Sequence, residues 1–213
     1  MSHFIGLCFG YNWENDLEQY YEGLEVDEYI RYTKEEAIEK AKKYHTSNYE
    51  YAVKQLESNT ITPENLVYYT DIVSKGCSLS DKDAWERVQN WGYKIDDKGN
   101  LLTTYNPNSK WDWYSIGGRW SGFLPLKEKD EDGNPLESNE AYFHEIDWEY
   151  FLEHRYPPFC FVTEDGEWIE KGEIGWWCIT LNEQPEDDWN TQFKKYLDTI
   201  DSDCLVTVID FHI

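Results

Sequence analysis

Cys204-Leu-Val-Thr-Val-Ile-Asp-Phe-His-Ile213 is the stretch that decides the fold. β-branched residues run through it and apolar side chains occupy both alternating phases, so the strand it forms must be covered on both faces. Such a strand belongs inside a sheet. A counterpart lies at the other end of the chain: His3-Phe-Ile-Gly-Leu-Cys-Phe9 is short, rich in large apolar groups and stopped by Gly10. Both termini are therefore expected as central or near-central strands of one sheet.

Helix signals fill the interval. Thr33-Lys-Glu-Glu36 reads as a capping box opening a helix that reaches about Glu57. Thr62-Pro63 places proline at the first position of a second, ending near Gly76. Ser80-Asp-Lys-Asp83 caps a third that stops at Gly92. Asp147 opens a fourth, closed before Pro157-Pro158. A fifth begins at Pro185, with Trp189, Phe193 and Leu197 on one face. Turn residues at Asp96–Asn100 and Glu164–Gly166 predict hairpins over 93–105 and 159–170. Trp176 to Leu181 reads as another strand, and 127–140 as an exposed acidic loop. Without steady strand–helix alternation, the expected class is α+β: a single domain over 1–213, with a mainly antiparallel sheet and about five helices packed on it.

The chain has 19 basic and 43 acidic residues, a formal charge of −24 over 213 positions. Residues 101–213 carry −16 of it. A field of that sign repels phosphates and anionic membranes and attracts basic proteins, so neither nucleic acid nor membrane is an expected direct partner. Eleven Trp and seventeen Tyr supply large rings for a core and argue against disorder, despite a mean hydropathy of −0.80. Five scattered Cys, at 8, 77, 160, 178 and 204, read as buried thiols of a reducing compartment. The opening Met-Ser-His-Phe lacks the basic leader of a signal peptide, and the expected location is cytoplasmic.

The most specialised segment is Asn106-Pro-Asn-Ser-Lys-Trp-Asp-Trp-Tyr-Ser-Ile-Gly-Gly-Arg-Trp120. Arg119 reads either as a guanidinium stacked on an indole and presented to an anion, or as one held by an internal carboxylate. Gly117-Gly118 is no phosphate loop, because the lysine and third glycine of such loops are missing. A second Gly–Trp segment, Asp165 to Trp177, either forms the other wall of a pocket or paves the same core. The candidate pocket is Trp111, Trp113, Tyr114, Arg119, Trp176 and His212. Asp210 and His212 share a strand face, an arrangement that orients a base or simply satisfies two buried polar groups. Asp130, Asp132 and Asn134 mimic the start of an EF-hand loop, but Pro135 and Ala141 stand where glycine and glutamate are needed. No metal site, cofactor or catalytic motif is expected.

The 106–120 segment, Asp165-Gly-Glu-Trp168, Gly175-Trp176 and the ending Leu205 to Ile213 together resemble a family of uncharacterised proteins of bacteriophages, prophages and their bacterial hosts. The likeness covers roughly residues 100–213. It implies a host-cytoplasmic protein whose acidity serves inhibition: carboxylates placed where phosphates would lie, in the basic groove of a nucleic-acid-binding host protein of the CRISPR or restriction type. The expected interaction surface is Glu128, Asp130, Glu131 and Asp132, with Glu186, Asp187 and Asp188. The alternative expectation is a small-ligand or hydrolytic protein for a nucleotide-like anion, using the aromatic pocket with Arg119 and His212.

Overall fold

A computed structural model describes residues 3–58, 61–174 and 180–213. Contacts divide the chain into two compact units, Met1–Glu25 with Tyr105–Ile213, and Val26–Thr104. The class is α+β, with mainly antiparallel sheets.

In chain order the elements are β1 (His3–Phe9), α1 (Trp13–Glu18), β2 (Glu25–Tyr32), α2 (Lys34–Leu56), α3 (Pro63–Ser74), α4 (Asp81–Val88), β3 (Lys94–Ile95) and β4 (Leu101–Tyr105). Then follow β5 (Trp113–Ile116), β6 (Leu124–Lys129), β7 (Pro135–Ser138), β8 (Glu140–Tyr142), α5 (Trp148–His154), β9 (Cys160–Val162), β10 (Trp168–Glu170), β11 (Glu173–Ile174), β12 (Thr180–Leu181), α6 (Glu186–Leu197) and β13 (Leu205–His212).

The first unit is built on β13, as its two-sided apolarity requires. The sheet runs β10-β9-β1-β13-β5, and β8 also pairs with β13. β1 lies antiparallel to β13, from His3 opposite His212 to Phe9 opposite Val206, and parallel to β9. Ile5, Leu7, Phe9, Val206 and Val208 fill one face and pack with Phe151 of α5 and with Trp189, Phe193 and Leu197 of α6. Phe4, Cys8, Ile209 and Phe211 fill the other and pack with Trp13 and Leu17 of α1 and with Trp111. Alternation along β1 and β13 thus feeds two clusters, and each fully buried large side chain stabilises the unit by roughly 1.5–3 kcal/mol.

The second unit has its own sheet, β2-β4-β3, and the helices α2, α3 and α4. Three of the five expected helices therefore belong here rather than to the β13 sheet. Its core is small: Ala37, Ala41, Ala84, Val88 and Leu101. The caps stand as the sequence sets them. Thr33 and Glu36 form a reciprocal capping box, Thr62 accepts from Asn65 N–H ahead of Pro63, and Ser80 accepts from Asp83 N–H.

Several expectations are corrected. The acidic loop 127–140 is largely the β6–β7 hairpin, with only the tip left as turn, because Asp130 accepts the N–H groups of Asp132 and Asn134 and tightens the reversal. α1 adds a helix without a side-chain cap to mark it. Cys8, Cys160 and Cys204 are buried thiols but Cys77 is exposed; Cys178 and most of the expected 176–181 strand lie outside the described residues.

Candidate functional site

One edge of β13 is shared by two strands. β5 pairs with residues 209–212 and β8 with residues 205–207, so the chain must leave the edge between them. It does so at Val208, whose N–H donates to Asn139 carbonyl and whose carbonyl accepts from Gly117 N–H, both at 2.8 Å. Gly117 and Gly118 have φ of +70° and +50°, a left-handed pair that residues with a Cβ resist. Space demands glycine as strongly. A Cβ on Gly118 would lie 2.5 Å from Asp210 Cβ and 2.6 Å from Ser115 Oγ, and one on Gly117 would meet the Asn139 amide at 2.5 Å.

The turn brings backbone onto a buried carboxylate. Asp210 is 2% exposed and accepts two hydrogen bonds, from Arg119 backbone N–H at 3.0 Å and from His3 Nδ1 at 2.7 Å. One register step away His212 is 8% exposed, with Nδ1 2.6 Å from Asp112 Oδ1. Trp113, opposite His212 in the ladder, stacks on its ring at 4.9 Å and 17°, and His3 meets the same ring edge-on at 5.0 Å. Two histidine–carboxylate pairs thus lie side by side where the core face of the sheet ends. His212 Nε2 is buried with no hydrogen-bond partner among the described residues.

The expected pocket residues divide across the sheet. Trp113 and His212 share the face of Asp210, and Arg119 reaches that carboxylate through its backbone N–H. Trp111 and Tyr114 lie in the opposite cluster: Trp111 Nε1 donates to Leu17 carbonyl, and Tyr114 packs on Trp13, Trp111 and Phe211. Trp168 of the second Gly–Trp segment joins them against Phe4 and Phe211, so these rings pave a core. Trp176 lies outside the described residues. Arg119 is exposed, and its guanidinium makes no ion pair among the described residues, so the expected hold by an internal carboxylate is not made by its side chain; its backbone N–H donates to Asp210 instead. Asp210 and His212 do not pair with each other, because each has its own partner.

His3 is the site residue that sequence spacing misses. It stands 207 positions from Asp210, and only the β1–β13 register brings them together.

All seven residues of the expected acidic surface are exposed. Two are committed to the fold: Asp130 to its turn, and Glu186 to Lys171 at 2.5 Å. Glu128, Glu131, Asp132, Asp187 and Asp188 have no cationic side chain within ion-pair distance among the described residues. The first unit holds 29 acidic and 8 basic residues, and the second 14 and 11, so −21 of the −24 belongs to the first. Among the described residues no group of three or more His, Cys, Asp or Glu is placed to hold a metal ion, and no helix is long and apolar enough to cross a membrane.

Comparison with known proteins returned no matching family model, no matching curated protein and no matching solved structure.

Proposed function

We propose that the chain is an acidic interaction protein that engages a basic nucleic-acid-binding partner by presenting carboxylates in place of phosphates. The observation that carries this reading is the charge of −21 on the first unit beside −3 on the second. Acidity needed only for solubility has no reason to be partitioned so unevenly. The Trp-Gly-Arg segment supports the reading indirectly, because Trp111, Tyr114 and Trp120 are packed into the two clusters and Gly117 and Gly118 form the turn onto Asp210. The resemblance to phage proteins makes a host defence nuclease of the CRISPR or restriction type the partner class, acting in the host cytoplasm.

The test is binding to a panel of purified defence nucleases at about 50 and 300 mM salt. Neutralising Glu128, Glu131, Asp132, Asp187 and Asp188 to their amides is expected to weaken binding tenfold or more, about 1.4 kcal/mol, chiefly at low salt. Binding indifferent to salt and to these substitutions would sink the proposal.

A second reading rests on His212 Nε2, a buried ring nitrogen with no hydrogen-bond partner among the described residues, in a ring stacked on exposed Trp113, with Arg119 exposed on the turn whose N–H binds Asp210. A buried orphan of this kind calls for an explanation, and a ligand that completes its hydrogen bonding is one. It makes the His3–Asp210 and His212–Asp112 pairs the floor of a site for a nucleotide-like anion, for binding or hydrolysis. Trp113 fluorescence titrated with a nucleoside monophosphate reports it. Arg119→Ala should abolish the response at unchanged stability, since alanine keeps the N–H that holds Asp210; a response that persists in this variant rules the reading out.

A further inference from the structure

We infer that the second unit carries a binding site for a small carboxylate-bearing molecule, centred on Arg87. A cleft of about 380 Å³ opens there, lined by His45, Lys75, Ser78, Leu79, Asp83, Glu86, Arg87 and Asn90. Four of these side chains are charged, and three have partners on their own helix or its cap. Lys75 pairs with Asp71 at 2.5 Å, Asp83 accepts from Ser80 hydroxyl at 2.7 Å, and Glu86 lies 3.9 Å from Lys82.

Arg87 is the exception, held from another helix and by a neutral ring. On α4 the carboxylate one turn upstream, Asp83, is the natural partner for an arginine four residues on. Arg87 does not take it. Its guanidinium lies instead 3.2 Å from His45 Nδ1, and no carboxylate among the described residues comes within 4.0 Å of it. Because a guanidinium only donates, His45 Nδ1 accepts; because the other ring nitrogen sits 3.0 Å from Gly76 carbonyl, Nε2 carries the proton and donates. His45, 4% exposed on α2, is thereby a neutral imidazole in a defined tautomer, tied to Gly76 just beyond α3 and to Arg87 on α4. It acts as a positioning residue, spending one N–H of the guanidinium and leaving the rest of the fork exposed beside the cleft.

A fork of parallel N–H donors matches the two oxygens of a carboxylate. Phosphate offers the same oxygens, but Asp83 and Glu86 line the same space and oppose a second negative charge more than a single one. The same two acids accept from a hydroxyl or ammonium group on the ligand. The chemistry selected is therefore a compact α-amino or α-hydroxy acid, with its carboxylate on Arg87 and its donor toward Asp83 or Glu86.

The test uses the full-length protein, with glycine and lactate as probes and inorganic phosphate as the comparison, followed by NMR of the Arg87 guanidinium and His45 ring. Saturable shifts with glycine or lactate, weaker ones with phosphate, and loss of binding in Arg87→Gln are expected. Arg87→Lys, which keeps the charge but not the fork, should bind at least tenfold more weakly. Both variants lie on an exposed helix face, so an unchanged melting temperature confirms that they fold. No saturable shift up to about 50 mM, tighter binding of phosphate, or undiminished binding by either variant would overturn the assignment.

Discussion

At Gly118 conformation and space converge on one residue. Its φ of +50° disfavours any Cβ, and the volume a Cβ would occupy is taken by Asp210 and Ser115. Gly133, at the β6–β7 tip, has φ of +85° with nothing within 4 Å of an added Cβ. The two separate strain from crowding. Gly133→Ala should cost about 1 kcal/mol, the left-handed term alone, whereas Gly118→Ala should cost about 2–4 kcal/mol because it also displaces the turn from Asp210. Urea unfolding of both variants measures the difference, and equal losses would mean that the turn relaxes freely. The importance of the Gly–Gly pair was legible in the sequence; its reason was not. Asp210 and His3 become neighbours only through the pairing of strands at opposite ends of the chain, and no local spacing encodes that register. Likewise Trp111 and Trp113 look equivalent in the sequence, yet Trp111 precedes β5 and is buried with Trp13 and Leu17, whereas Trp113, on β5 opposite His212, is exposed.

Among the elements, those with local chemistry were readable and those defined by distant partners were not. α2, α3 and α4 announce themselves through Thr33, Thr62 with Pro63, and Ser80, whose side chains satisfy first-turn N–H groups. β5 has four residues and exists because β13 is beside it; β2 alternates too weakly to stand apart from loop. The β6–β7 hairpin hid within a run of charges, yet its tip has a testable chemistry. The N–H of Asn134, then its side-chain amide and the N–H groups of Asp132 and Gly133, hold the Asp130 carboxyl below the usual aspartate range. A depressed value in the folded state means that the stabilisation is complete above the ordinary aspartate value near 3.9 and is lost as pH falls through the depressed one. Asn134 and Asp132 amide shifts followed on acidification should therefore move together, below about pH 4. Asp130→Asn should remove that step while leaving the rest of the spectrum folded; an identical step in the variant would assign it to another carboxylate.

For the whole molecule, the boundaries of the 26–104 unit fall within or at the edge of β2 and β4 rather than in a Gly- or Pro-rich connection. Extended strands entering and leaving a unit leave no linker composition to read, although the charge contrast between its flanks and itself was already written in the residues. That contrast has a consequence for stability. In the first unit 29 acidic residues repel one another with 8 bases to offset them, while 14 and 11 nearly balance in the second. Raising sodium chloride from about 20 to 500 mM shortens the screening length from about 20 Å to about 4 Å and removes most of the repulsion between exposed carboxylates. Amide exchange should consequently slow in β1, β9 and β13 and hardly change in α2 and α4, which belong to the nearly balanced unit. A few exposed pairs in the second unit, such as Lys42–Asp81 and Lys94–Glu28, are themselves weakened by screening, which biases that unit further toward no gain. If both units gained protection equally, self-repulsion in the first would not be limiting its stability, and its acidic residues would have to be arranged so that their fields largely cancel at the sheet.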